Sequence, residues 1–131
     1  MSVNVMISKE NEIRRYDLYL ADLGEPDKDS SVQGGTRPVV VVSNDMGNKY
    51  SPLVFVVPVT SSATKKRLPT HVEIKAEKTG IAKDSTILFE QIITIPKKQL
   101  KYKLLSLPGE LKQDMDKAYL VSTGLNEYIK F

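Results

Sequence analysis

The chain has 131 residues, 40% hydrophobic and 27% charged, which is the balance of one folded domain rather than two or of a disordered segment. It has no cysteine and a single histidine, His71, so disulfide frameworks, thiolate zinc sites, cysteine nucleophiles and histidine pairs are excluded. The net charge of +3 is unevenly spread: Lys65–Lys103 holds ten Lys/Arg against four Asp/Glu. That basic stretch suits a polyanion, or else a set of solvated loop and strand-edge lysines.

No targeting segment is visible: the apolar run near the N-terminus is too short for a signal peptide. The longest apolar runs, Val39–Val42 and Leu53–Val59, fall far short of a membrane span. A soluble, cytoplasmic protein is expected. Residues 1–12 read as a flexible lead-in and 13–131 as one domain.

Tyr16–Leu23 reads as a first strand, rich in aromatic and aliphatic residues. Gly24–Thr36 follows, a thirteen-residue loop with three glycines and almost nothing apolar, long enough to suggest a functional role. Val39–Val42 is a continuous β-branched run, the mark of a strand buried on both faces. Asn44–Pro52 has turn chemistry. Leu53–Thr60 is a further strand in which Pro58 calls for an edge position or a bulge. Ser61–Pro69 is a basic loop, and Thr70–Ala76 an alternating strand with Val72 and Ile74 on one face. Thr79–Ser85 reads as a turn around Gly80, and Thr86–Ile95 as one strong strand. Lys97–Leu107 suggests a helical turn and then a strand from Tyr102. Pro108 opens a helix with Leu111, Met115, Ala118, Ser122 and Leu125 on one face. Five or six short strands and one helix imply a small curved sheet or barrel.

Three passages could carry chemistry. In QGGTRPVVVVSND, two glycines precede Arg37 at the mouth of a strand, with Pro38 fixing the chain behind it. Such a guanidinium suits a phosphate through its paired donors, or a nearby acid such as Asp45 or Glu90. In PVTSSATKKRLPTH, the hydroxyls of Thr60, Ser61 and Ser62 stand beside Lys65, Lys66 and Arg67, either as a phosphate or ribose site or as turn residues. His71 fits a hydrogen-bonded structural histidine better than a base. Glu90 and Gln91, polar inside an apolar strand, need partners if buried; Glu90 reads as structural, whereas Gln91 fits an anchor or a base reader. No G-x-S-x-G, H-E-x-x-H, P-loop or EF-hand pattern is present. Phosphoryl chemistry without a metal remains open, because an RNA 2′-hydroxyl attacks its own phosphate once it is aligned and the developing charge is held.

The segments DLYLADL, SVQGGTRPVVVVSND, VPVTSS, LPTHVEI and ILFEQIITI, in this order and spacing, resemble the MazF/PemK (Kid) family of toxin endoribonucleases from Ile13 to Leu125. The resemblance implies a small SH3-like curved β-barrel with a C-terminal helix, of the MazF/PemK/CcdB kind. It also implies a homodimer, no cofactor and no metal. The implied activity is metal-independent, sequence-specific cleavage of single-stranded RNA to 2′,3′-cyclic phosphate and 5′-hydroxyl ends. A cognate acidic antitoxin of the MazE kind would silence it by laying an extended segment over the RNA surface. The family's catalytic pair falls on Arg37 and Thr60. Its RNA-facing residues fall on Ser31, Gln33, Gly35, Ser43, Ser61, Lys65, Leu68 and Gln91, with 24–36 as a lid. Two departures stand out: Val32 replaces a common glutamate, and Tyr16 replaces a common glycine. The alternatives are a gyrase-poison-like inhibitor of a protein, and a relative that binds RNA or antitoxin without cutting.

Overall fold

The β-branched run Val39–Val42 is buried on both sides because it divides two cores. The computed structural model describes residues 12–25, 29, 33–61 and 67–129. Seven strands form one sheet: β1 (Asp17–Asp22), β2 (Thr36–Val41), β3 (Leu53–Thr60), β4 (His71–Ile74), β5 (Ser85–Leu88), β6 (Ile93–Pro96) and β7 (Leu100–Ser106). Their order is β4-β5-β3-β2-β1-β7, with β6 also on β3 and every pairing antiparallel. One face packs Leu18, Val40, Val42, Val57, Val59, Ile87 and Phe89 against Met115 and Ala118 of the C-terminal helix α3 (Lys112–Thr123). The other face gathers Tyr19, Ala21, Val39, Val41, Val54, Val56 and Ile95. Each fully buried valine contributes about 1.5–3 kcal/mol by leaving water.

The mainly β architecture with one C-terminal helix is as expected, but the sheet does not close into a barrel. Among the described residues no ladder joins β7 to β4. Among the described residues there are seven strands rather than five or six, because TILFEQIITI breaks at Phe89–Ile92 into β5 and β6. Both pieces pair with β3: β6 along Leu53–Val56, β5 at Val59 and Thr60. Pro58 falls in the gap between these ladders, so a residue without an N–H is accommodated in a central strand, buried and opposite Val39 of β2.

Asn44–Pro52 is not merely a turn. Asn44 Oδ1 accepts from Gly47 N at 2.7 Å and caps the helix α1 (Asp45–Tyr50), a contact of about 1 kcal/mol. The strand expected over Thr70–Ala76 ends at Ile74, and Ala76–Thr79, ahead of most of the expected turn Thr79–Ser85, forms a single helical turn, α2, closed by Gly80 in the left-handed conformation. Gly124 ends α3 in the same way, so Leu125 falls outside the apolar face and is 51% exposed.

Candidate active site

Register brings Arg37 and Thr60 together. Val39 lies opposite Pro58, and two residues further along each strand that alignment sets Arg37 opposite Thr60, on the same face. Both line a cleft of about 410 Å³ with Pro38, Val59, Ser61, Ile81, Ala82, Lys83 and Ser85. The lining combines apolar groups with a guanidinium, an ammonium and hydroxyls.

Arg37 is held from behind. Its Nε donates to the Gly34 carbonyl at 2.9 Å, and among the described residues no carboxylate pairs with it. The two acids considered as its partners are engaged elsewhere. Asp45 Oδ1 accepts from the Arg15 backbone N–H at 2.6 Å, and Glu90 accepts from Thr70 and His71. The terminal NH2 groups of Arg37 are therefore available to an anion in the cleft. Thr60 is buried at the end of β3, paired with Thr86 of β5.

The loop before β2 is tied at its foot. Leu23 N donates to Gly35 O, and Gly35 N donates to Gly24 O; Gly24 and Gly35 take φ of +79° and +74°, where a side chain would be strained. Gln91 Oε1 accepts from Gln33 N at 2.9 Å. Gln91 thus holds the residue next to Gly34, whose carbonyl holds Arg37. The break between β5 and β6 is what frees Gln91 for this contact.

His71 is structural, as its alternating strand suggested. Its side chain is 4% exposed, Nδ1 accepts from Leu68 N at 3.3 Å, and Nε2 lies 3.0 Å from Glu90 Oε2. The Leu68 donor fixes the tautomer, so Nε2 carries the proton and donates to Glu90. Leu68 itself is tied into this loop and does not line the cleft. Ser43 is also away from it, beyond the opposite end of β2. It is buried, donates to Asn48 Oδ1 at 2.5 Å and accepts from Phe55 N. Ser61 lines the cleft; Gln33, Gly35 and Gln91 do not, and belong instead to the bonded foot of the loop before β2. Ser31, Val32, Lys65 and residues 1–11 of the expected lead-in lie outside the described residues.

Lys83 and Ser85 line the cleft although sequence reasoning passed over them. Ser85 Oγ donates to Lys83 O at 2.8 Å and fixes the turn. Asp84, the adjacent acid, turns to Ala76 N and Lys75, which leaves Lys83 unneutralised among the described residues. The available signal was the Thr60–Thr86 pairing, which carries the residues just before β5 to the end of β3. Among the described residues no three His, Asp or Glu side chains converge as a metal site, and no helix is long and apolar enough to cross a membrane.

The profile described as PemK-like, MazF-like toxin of type II toxin-antitoxin systems matches residues 14–121. The endoribonuclease MazF of Staphylococcus epidermidis is 50% identical over 116 residues, spanning 88% of this chain and 95% of that protein. Two solved structures share the fold. MazF of Deinococcus radiodurans has a TM-score of 0.69 at 20% identity, over 85% of this chain and 96% of its own. An endoribonuclease from mycobacterial species, solved in complex with its cognate antitoxin, has a TM-score of 0.67 at 24% identity, over 86% and 95%. The chain belongs to the PemK-like, MazF-like toxin family of type II toxin–antitoxin systems.

Proposed function

We propose that this endoribonuclease toxin cleaves single-stranded RNA, mRNA included, through Arg37 and Thr60, without a metal. The observation that carries this reading is the cleft shared by the two residues, into which Arg37 brings a charge that no described carboxylate neutralises. The RNA 2′-oxygen attacks the adjacent phosphorus and loses its proton; the bond from phosphorus to the 5′-oxygen breaks, and that oxygen takes a proton. The products are a 2′,3′-cyclic phosphate and a 5′-hydroxyl. Arginine is too weak an acid to serve as the base at neutral pH, so Arg37 stabilises the charge building on the phosphorane oxygens. Thr60 holds a phosphate oxygen or the attacking hydroxyl. Gln91, Gln33 and Gly34 position the guanidinium, and Ser61 and Lys83 supply further contacts to the chain of phosphates. Ser31 and Lys65, where the resemblance carries RNA contacts, complete the surface from the flanking loops.

The toxin acts in the cytoplasm as a homodimer. Exposed Leu53 and Phe55 on β3, with Met46 and Tyr50 on α1, offer apolar surface for a second copy to cover. An acidic antitoxin segment silences it by competing for the basic surface, as the antitoxin-bound mycobacterial relative suggests.

The test is to incubate the protein with long, mixed-sequence RNA in EDTA beside an Arg37→Ala variant and to map the cut ends. Discrete cuts with cyclic-phosphate ends, lost in the variant, are expected. Cuts that persist in the variant would remove Arg37 from the site, and binding without any cutting would favour the non-cleaving reading. DNA gyrase inhibition without RNA cleavage would point instead to the gyrase-poison reading.

A further inference from the structure

At Pro38 and Val59 the cleft meets an apolar row on the face of the sheet opposite the one that carries Arg37 and Thr60. On the α3 side of the sheet, Val72 lies opposite Ile87, and Ile87 opposite Val59. The β2–β3 register sets Val59 beside Pro38; Pro38 lies opposite Leu20, and Leu20 opposite Tyr102. Directly opposed residues share a face, so these side chains form one row across the sheet. Its inner members are buried. Pro38, which lines the cleft, and Leu20 are half-buried, and Tyr102 ends the row at 58% exposure. Two strand spacings separate Pro38 from Tyr102, roughly 10 Å.

Tyr102 has no visible structural task. Among the described residues its hydroxyl makes no hydrogen bond and its ring meets no other ring or cation. Lys101 and Lys103 flank it along the strand and alternate to the other face, and Lys97 and Lys98 precede the strand in a short turn whose Lys97 N–H donates to the Pro52 carbonyl. Of these four, only Lys103 has a carboxylate partner among the described residues, Asp17 at 3.4 Å. Lysines alone would guard an exposed edge strand. A bare aromatic ring adds nothing to that defence, but it is what a nucleobase stacks on, with lysines at the adjacent strand positions to attract phosphates.

We propose that Tyr102 is a stacking platform for a base of the single-stranded RNA that flanks the cut, reached along the Pro38–Leu20 row. This rests on the endoribonuclease reading. Stacking on an aromatic ring indicates a loss of about tenfold in affinity when the ring is removed.

The experiment uses the full chain carrying Arg37→Ala, to suppress cleavage, and labelled single-stranded RNA read by fluorescence anisotropy. Adding Tyr102→Ala weakens binding about tenfold, while Tyr102→Phe retains affinity. RNA carrying an abasic site at one flanking position binds the Arg37→Ala chain more weakly, and Tyr102→Ala causes no further loss on that RNA. In the cleaving parent, Tyr102→Ala raises KM and leaves kcat within about twofold, as expected for binding remote from the reacting phosphate. Equal RNA affinity with and without the ring would overturn the platform, as would a ring effect that persists at every abasic position. So would unchanged RNA affinity accompanied by weaker binding of an acidic antitoxin peptide. Failure of the parent chain itself to bind or cut RNA would overturn the endoribonuclease reading, a result that does not depend on residue 102.

Discussion

Two arginines stand at opposite ends of the β1–β2 hairpin and have opposite fates. Arg15, just before β1, is satisfied on several sides. Its backbone N–H meets Asp45, its guanidinium lies 3.5 Å from Asp116, and it covers the Tyr16 ring at 4.7 Å. Arg37, at the other end, donates through Nε to Gly34 O and lines the cleft. The first is absorbed into structure; the second meets no carboxylate among the described residues. The difference lies in the neighbours: α3 supplies Asp116 to the first guanidinium, whereas the Gly34 carbonyl is the hydrogen-bond acceptor found for the second among the described residues.

The strongest test of this contrast is Arg37→Ala. Removing a donor aimed at transition-state charge costs about 10²–10³-fold in kcat. Little stability is lost with it, because no buried partner is orphaned; thermal denaturation beside single-turnover cleavage measures both. At the other end the effects reverse. Tyr16 is 6% exposed and sits at φ +72°, the only described non-glycine residue at positive φ. Tyr16→Gly relieves about 1–2 kcal/mol of backbone strain but forfeits about 3–5 kcal/mol of aromatic burial. The net loss of about 3 kcal/mol lowers Tm by roughly 10 °C, with kcat unchanged below the melting range.

Tyr16→Phe is milder and depends on pH. Burial, reinforced by the hydroxyl's hydrogen bond to Asp116, raises the Tyr16 pKa above the ordinary 10.0. Above pH 10 an unfolded tyrosine releases its proton while the folded one retains it, so the folded state binds more protons and stability falls as pH rises. The contribution is complete below pH 10. Denaturant titrations should show Tyr16→Phe about 1 kcal/mol less stable at neutral pH, with that gap closing above pH 10. Gln91→Leu acts on stability and turnover together. Releasing the Gln33 N–H costs about 1 kcal/mol of stability and loosens the carbonyl behind Arg37, so kcat falls several-fold, visible in the same cleavage assay.

The strand skeleton was legible because burial imposes its period on composition: alternation marked β4, and unbroken valines marked the strand between two cores. Arg37 was legible for another reason, since two glycines and a proline around one arginine constrain the backbone unmistakably. What stayed hidden depended on partners distant in sequence. The split of TILFEQIITI follows from β3 switching neighbours at Pro58, which no local pattern records. Lys83 reaches the cleft only through the Thr60–Thr86 register. Ser43 matched a family position, yet its hydroxyl is consumed by Asn48 and Phe55. Tyr16 was recognisable as a departure from glycine; its meaning emerged only with the left-handed backbone that a glycine would adopt without strain.

The paired backbone bonds at Gly24 and Gly35 also bear on how such a toxin diversifies. They knot the chain at the foot of the loop, so the stretch between Glu25 and Val32 can lengthen or change composition without pulling on Arg37. Doubling a loop closed in this way costs only about 0.6 kcal/mol. Mutation can therefore vary that stretch while the Gly34 carbonyl behind Arg37 keeps its place.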